Sequence, residues 1–289
     1  MGFVEVAGLR LHYQEWGPAG ASAGVVLVHG LGSSCHIWDF VAPILAARSL
    51  RVVALDQRGH GESDQPDTGY DFPSVVGDLA GFVEAIGMSD PSIYVGHSWG
   101  ASVVLHCAVA RPDRAAGIAL VDGGTGSPGE RFSWPEAEAR LRPPDLDGML
   151  WSDLHERMSH SIGAYADARA EAVGRSLFHI DAEGRVTRRF RIPNHMQVVR
   201  ALWEQRPSEL LAQLQCALLL LPARQSTESS DMNLAKAAGI ARALEVQPTA
   251  RVRWFENTVH DVPLQRPEEL AAELLLLVDR SLEASAPSS

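Results

Sequence analysis

A single α/β domain on a mostly parallel, doubly wound sheet, with a helical subdomain inserted into it, is the fold the sequence predicts, and three observations carry it. Short apolar, β-branched runs alternate with amphipathic stretches of helical period, the pattern of a parallel sheet covered on both faces. The alternation stops after Val121 and resumes only near Ala217, a gap too long for a structureless loop inside a compact domain. The composition, 46% hydrophobic and 21% charged, is that of a chain able to bury a sizeable core.

Taken in order, residues 3–6 and 9–16 alternate around Ala7-Gly8 and read as a hairpin edge. Strands are predicted at 25–28, 51–55, 92–95, 118–121, 217–221 and 251–255, and helices at 37–48, 74–86, 99–110, 233–244 and 267–282, each with apolar residues at helical spacing. The core domain therefore comprises residues 1–126 and 207–282. Residues 127–206 form the mostly helical insert, and the Ser-, Ala- and Pro-rich stretch 283–289 is expected to be a disordered tail.

A formal net charge of −11 offers no positive surface to phosphates, so no nucleic-acid partner is expected. The start, Met1-Gly2-Phe3-Val4-Glu5-Val6, lacks a basic segment followed by an apolar one. The longest apolar runs, such as 218–221 and 274–278, fall far short of the ~20 residues of a membrane span. A cytoplasmic location without membrane association is the resulting expectation. Cys35, Cys107 and Cys216 are odd in number and widely spaced, which fits reduced, buried thiols better than disulfides or a zinc site. Lys236 is the only lysine, the other cations being arginines, a bias that by itself carries no function.

The chemistry is signalled first by Gly96-His97-Ser98-Trp99-Gly100, a G-x-S-x-G run directly after a predicted strand and directly before a predicted helix. A strand forced to turn that sharply into a helix strains its central residue, and flanking glycines avoid collisions at the bend. Ser98 would stand at a helix N-terminus, where the Trp99 N–H and the helix dipole favour negative charge on a substrate oxygen. A serine hydroxyl needs a base within hydrogen-bond reach, and eleven histidines compete for that role. In doubly wound sheets the groups at the C-terminal strand ends converge on one crevice, which selects His260, placed after the last predicted strand and before the last helix. His29 and His97 also sit at strand ends but read as backbone hydrogen-bonders, and His12, His106, His155, His160 and His179 as ordinary surface or core residues. His155 and His160 miss the spacing of a helical zinc site, and no metal or cofactor is expected.

Four motifs in sequence order, His29-Gly30-Leu31-Gly32, Asp56-Gln57-Arg58-Gly59-His60-Gly61-Glu62-Ser63, the turn at Ser98, and Val259-His260-Asp261, make nearly the whole chain resemble an α/β-hydrolase. The resemblance implies a second oxyanion donor in the turn after His29-Gly30, assigned to Leu31 ahead of Gly32, and makes the insert the family's cap. In most relatives the third triad member lies in a stretch resembling G-x-x-D after the strand that follows the cap. Here that stretch reads Leu221-Pro222-Ala223-Arg224-Gln225, without an aspartate. The family's other solution places the acid at the end of the strand following the elbow helix, which is Asp122. Its task is to accept the second imidazole N–H and stabilise the imidazolium. Asp122 is favoured over Asp231 and Glu228, which lie after and within the Ser/Thr-rich segment 226–230.

The expected reaction is cleavage of a carboxylic ester or lactone carrying a medium-sized apolar group, through an acyl-enzyme on Ser98. The expected partner is accordingly a small ester-like molecule. Trp151, His195, Met196 and Trp203 of the insert are candidates to line its pocket, although filling the insert's own core is the default use of such aromatics. Epoxide hydrolases and haloalkane dehalogenases share the architecture but resemble one another in using aspartate where this chain has Ser98. Carbon–carbon hydrolases use serine and stay open as an alternative, weakened by Asp261 where their relatives often carry an aromatic. A binding protein without turnover is the reading from another class, and the missing acid near Gln225 argues weakly for it.

Overall fold

The computed structural model describes residues 1–21, 23–161, 168–225 and 230–285. Strands β1 (Gly2–Val6), β2 (Leu9–Trp16), β3 (Gly24–Val28), β4 (Arg51–Leu55), β5 (Ser92–His97) and β6 (Ala115–Val121) precede the insert. The insert carries a small hairpin, β7 (Phe178–Ile180) with β8 (Val186–Arg188), and β9 (Ala217–Leu221), β10 (Ala223–Arg224), β11 (Arg251–Val252) and β12 (Phe255–Glu256) follow it. Eight of these strands form one sheet in the order β1-β2-β4-β3-β5-β6-β9-β11, antiparallel across β1-β2-β4 and parallel from β4 to β11. From β3 the chain first moves outward to β4, then crosses back to place β5 on the other side of β3. The switch point therefore lies between the C-terminal ends of β3 and β5, where a doubly wound sheet opens a crevice.

The central strands are buried at every position of β3, β4 and β5, because helices cover both faces. On one side Val26, Val28 and Val53 pack with Leu79 and Phe82 of α2 (Phe72–Ala85) and Val104 of α3 (Trp99–Ala110). On the other, Val25, Leu27 and Val52 pack with Leu45 of α1 (Ala42–Ala46) and with Leu270, Leu274 and Val278 of the terminal helix. The predicted helix over 37–48 is instead a 3₁₀ turn, Cys35–Trp38, followed by the short α1. Pro43 lacks the N–H that a continuous helix would need and so opens a new one. The last predicted strand is likewise two short ones, β11 in the main sheet and β12 paired with β10.

Between β6 and β9 the insert contributes α4 (Trp134–Leu141), α5 (Trp151–Ser161), α6 (Ala168–Ser176) and α7 (Ile192–Glu204), mostly helical as expected, and a hairpin of strands is added to them. It docks on the loops beyond β3 and β4. Phe190 stacks on His60 at 3.7 Å between ring centroids, Asn194 donates to Tyr70 Oη at 2.9 Å, and Ser176 Oγ lies 2.7 Å from Ser34 Oγ. After it come α8 (Pro207–Leu211), α9 (Ser230–Val246), α10 (Val262–Gln265) and α11 (Pro267–Ser285). Helix α11 continues through Ser285, so the tail expected to begin at residue 283 is helical for its first residues, while 286–289 lie outside the described residues. Cys35 and Cys107 are free and buried as expected, but Cys216 is only half-buried. Among the described residues no helix is long and apolar enough to cross a membrane.

The loop after β4 is pinned by a buried carboxylate. Asp56 accepts from His12 Nδ1 at 2.8 Å, from the Cys35 N–H at 2.6 Å and from the Glu62 N–H at 3.0 Å. Burial alone pushes its pKa up, but these donors and the nearby His29 outweigh it and hold the group at about 2. A depressed folded-state pKa means the stabilisation is present above the ordinary carboxylate range and is lost as pH falls toward 2. Asp56→Asn would turn an amide donor toward a site made of donors, and is expected to lower the unfolding free energy by about 3 kcal/mol. Urea denaturation at neutral pH measures this, and the gap between variant and parent should narrow in acid.

Candidate active site

Ser98 sits at the switch point, between the last residue of β5 and the first of α3, with φ 55° and ψ −117°. That conformation is sparsely populated for any residue with a Cβ and costs on the order of 1–3 kcal/mol. The surroundings dictate it. A Cβ on Gly96 would overlap the Gly100 carbonyl, one on Gly100 would overlap the Val28 carbonyl, and one on Gly123 would overlap the Ser98 carbonyl. Glycines at those positions let β5, α3, β3 and the end of β6 close around one residue. The Ser98 N–H donates to the Val121 carbonyl at 2.9 Å, which anchors the turn to β6. Helix α3 begins at Trp99, so the Trp99 N–H has no carbonyl one turn back in its own helix. The other expected donor site is the turn after β3. There the Gly32 N–H is directed to His60 Nε2 at 3.2 Å and is committed to that partner.

Asp122 follows β6 directly, with φ 45°, a left-handed conformation that aspartate tolerates better than most residues. Its Oδ2 accepts from His260 Nδ1 at 2.6 Å and its Oδ1 from the Ala223 N–H at 2.9 Å. The structure thus brings together the base and the acid that the sequence favours. Asp231 is instead exposed in the first turn of α9, and Glu228 lies outside the described residues. Burial pushes the Asp122 carboxyl up, but the His260 hydrogen bond and the His260 and Lys236 charges outweigh it and hold the pKa below the ordinary range. For His260 burial acts downward, yet the Asp122 hydrogen bond and charge leave the imidazole pKa raised. The ring is nonetheless 52% exposed, so one side of the base opens to the cleft.

Two contributions escaped the sequence reading. His97 is a backbone hydrogen-bonder as expected, but its partner is not local: its Nε2 donates to the His260 carbonyl at 2.9 Å, with ring centroids 4.8 Å apart. Burial and the neighbouring His260 push its pKa down to about 3, so it stays neutral and tethers the His260 loop to the elbow. The other is Lys236, whose Nζ donates to Asp122 Oδ2 at 3.2 Å. Neither follows from a motif, because each depends on a segment more than a hundred residues distant in sequence meeting the site.

A cavity of about 240 Å³ is lined by Asp122, Gly123, Gly124, Leu120, Phe132 and Ile240 among others, and neither Ser98 nor His260 borders it. The insert residues proposed as pocket lining do not border it. Trp151 is packed in the insert's own small core with Leu154, Phe178 and Val186. Trp203 donates to the Phe132 carbonyl at 2.8 Å and meets Trp134 edge-on. His195 lies 6.0 Å from Phe190 and Met196 is half-buried on α7. Core packing, the commoner use of such aromatics, is what Trp151 serves.

A sequence profile described as the alpha/beta hydrolase family matches residues 25–273. Epoxide hydrolase A of Mycobacterium tuberculosis (strain ATCC 25618 / H37Rv) is 36% identical over 120 residues, 41% of this chain and 37% of the relative. The non-heme chloroperoxidase of Streptomyces lividans is 37% identical over 123 residues, 42% of this chain and 44% of the relative. The match thus spans less than half the length of either curated relative. The crystal structure of E-2-(acetamidomethylene)succinate hydrolase superposes with a TM-score of 0.78 at 20% identity, covering 96% of this chain and 98% of that one. With a switch-point serine, a profile match over most of its length and this superposition, the chain belongs to the alpha/beta hydrolase family.

Proposed function

We propose that the protein is a serine hydrolase that cleaves a carboxylic ester or lactone through an acyl-enzyme on Ser98. The observation that carries this reading is the 2.6 Å bond from His260 Nδ1 to Asp122 in the crevice where Ser98 is held in a strained turn. With Nδ1–H committed to the carboxylate, the neutral imidazole presents Nε2 as the acceptor. His260 takes the Ser98 proton as Oγ bonds to the substrate carbonyl carbon, and the Leu31 and Trp99 N–H groups hold the developing oxyanion. The proton then passes from Nε2 to the departing alcohol oxygen. Water repeats the attack on the acyl carbon, losing its proton to His260, and Ser98 regains one as the acid leaves. Residues 127–206 act as the cap over this crevice.

The binding-protein reading leaned on the lack of an acid near Gln225, and Asp122 removes that support. Serine at the elbow likewise favours acyl transfer over the epoxide opening named in the first relative. Incubation with p-nitrophenyl esters of increasing acyl length, alongside a fluorophosphonate probe, tests the proposal. Turnover that rises from acetate to medium chains and stoichiometric labelling of Ser98 are expected. A folded protein that neither turns over any ester or lactone nor is labelled would refute it.

A further inference from the structure

Lys236 lies on α9 and faces the back of the site. Its Nζ donates to Asp122 Oδ2 at 3.2 Å and to the Ala223 carbonyl at 2.8 Å, while the Ala223 N–H donates to Asp122 Oδ1 at 2.9 Å. Carboxylate, ammonium and the backbone N–H and C=O of Ala223 thereby close a ring. It is built in the interior, with the Lys236 side chain 21% exposed and that of Asp122 1%. Oxygen Oδ2 thus receives two donors, the ammonium and the imidazole Nδ1–H.

We propose that Lys236 is a positioning residue of the hydrolytic site, fixing the Asp122 carboxylate for His260 and sharing its charge so that the imidazole stays a usable base at neutral pH. The inference rests on the triad reading above. A carboxylate 2.6 Å from an imidazole strongly favours the imidazolium, and an unscreened buried one favours it more. An imidazolium cannot accept the serine proton. A permanent cation on the same oxygen opposes that bias and lowers the pH at which the neutral base appears. It also removes one rotational choice from Asp122, whose two oxygens are each given a fixed donor.

The other charged and titratable groups around the base do not substitute for it. His97, from the end of β5, is held neutral by burial, and His29 is itself buried, which lowers its pKa. Asp261, beside His260 in sequence, has its pKa raised by burial and by Asp122 and cannot supply positive charge. Glu130 and Arg131 line the cavity that Lys236 borders, Glu130 being paired with Arg242 at 2.6 Å and Arg131 lying 5.0 Å from the Phe132 ring.

The test is Lys236→Met and Lys236→Arg in the full chain, with kcat/KM followed from roughly pH 5 to 9. In Lys236→Met the acid limb should move to higher pH by about one unit, with KM little changed, and Lys236→Arg should return the limb toward its original position. A limb in Lys236→Met that coincides with the parent's overturns the proposal. Because Lys236 is the only lysine, [ε-¹³C]lysine labelling gives a single resonance in the folded protein, readable without turnover. That resonance should shift through a step at the pH where His260 titrates, and the step should vanish in His260→Gln. A step that is missing in the parent, or that persists in His260→Gln, overturns the coupling even if Lys236→Met fails to fold. Absent esterase activity in a parent that shows the step would instead refute the hydrolase reading.

Discussion

Ser98→Ala and His260→Ala are each expected to reduce kcat for a p-nitrophenyl ester by about 10⁵- to 10⁶-fold. Without Oγ there is no acyl acceptor, and without the imidazole the hydroxyl keeps its proton at neutral pH. The two losses should not multiply, because serine and histidine act as one unit. The double variant is thus expected to be no slower than the slower single one. What activity persists would come from the Leu31 and Trp99 N–H groups acting on bound substrate and water. Folding should be little altered in Ser98→Ala, because the strained turn is imposed by close approaches at Gly96, Gly100 and Gly123 and not by the hydroxyl. Alanine carries the same Cβ as serine into that turn, so thermal midpoints should agree to within a few degrees. Purified variants in a stopped assay decide the matter. Near-parental turnover in Ser98→Ala would leave only the architecture standing.

The parts of this site legible in the sequence were those written locally. The elbow is a five-residue string whose glycines are demanded by neighbouring backbone, so its sterics appear as composition. His260 could be chosen from eleven histidines because sheet topology favours residues at C-terminal strand ends. The buried strands were legible for the same kind of reason, since β3, β4 and β5 are covered on both faces and must be apolar throughout. Asp122 was reachable only through the family resemblance, because a lone aspartate after a strand has no local signature. Lys236 had none either. A lysine on a helix reads as solvated, and only the approach of α9 to Asp122 after β6 and to Ala223 of β10 turns it toward the carboxylate. The use of the insert aromatics was not legible for a similar reason. Trp151 and Trp203 are large and apolar, which the sequence shows, but whether such a ring faces a ligand or its own subdomain depends on contacts such as Trp151 with Phe178 and Val186. Element ends were missed where one residue overrides a period, as Pro43 does in splitting the helix expected over 37–48.

Asp122→Asn is expected to lower kcat by about 10⁴-fold, while Asp231→Asn stays within about twofold of the parent. The asymmetry follows from what each oxygen accepts. Asp122 Oδ2 takes the His260 Nδ1–H at 2.6 Å and Lys236 Nζ at 3.2 Å, and Oδ1 takes the Ala223 N–H at 2.9 Å. An asparagine has one acceptor and one donor to fill three acceptor roles. If its amide nitrogen takes the Oδ1 place, it opposes the Ala223 N–H. If it takes the Oδ2 place, it opposes the Lys236 ammonium and makes His260 Nδ1 an acceptor, which moves the ring proton to Nε2. That tautomer donates toward Ser98 and cannot remove its proton. The change also deletes the charge that raises the His260 pKa, so what activity is left should have its acid limb shifted to lower pH than the parent's, opposite in sign to the shift expected for Lys236→Met. Asp231, exposed at the start of α9, has no such contacts to lose among the described residues. A steep loss in Asp231→Asn with Asp122→Asn near-parental would move the acid to the loop before α9, and the 2.6 Å bond to His260 would then be structural only.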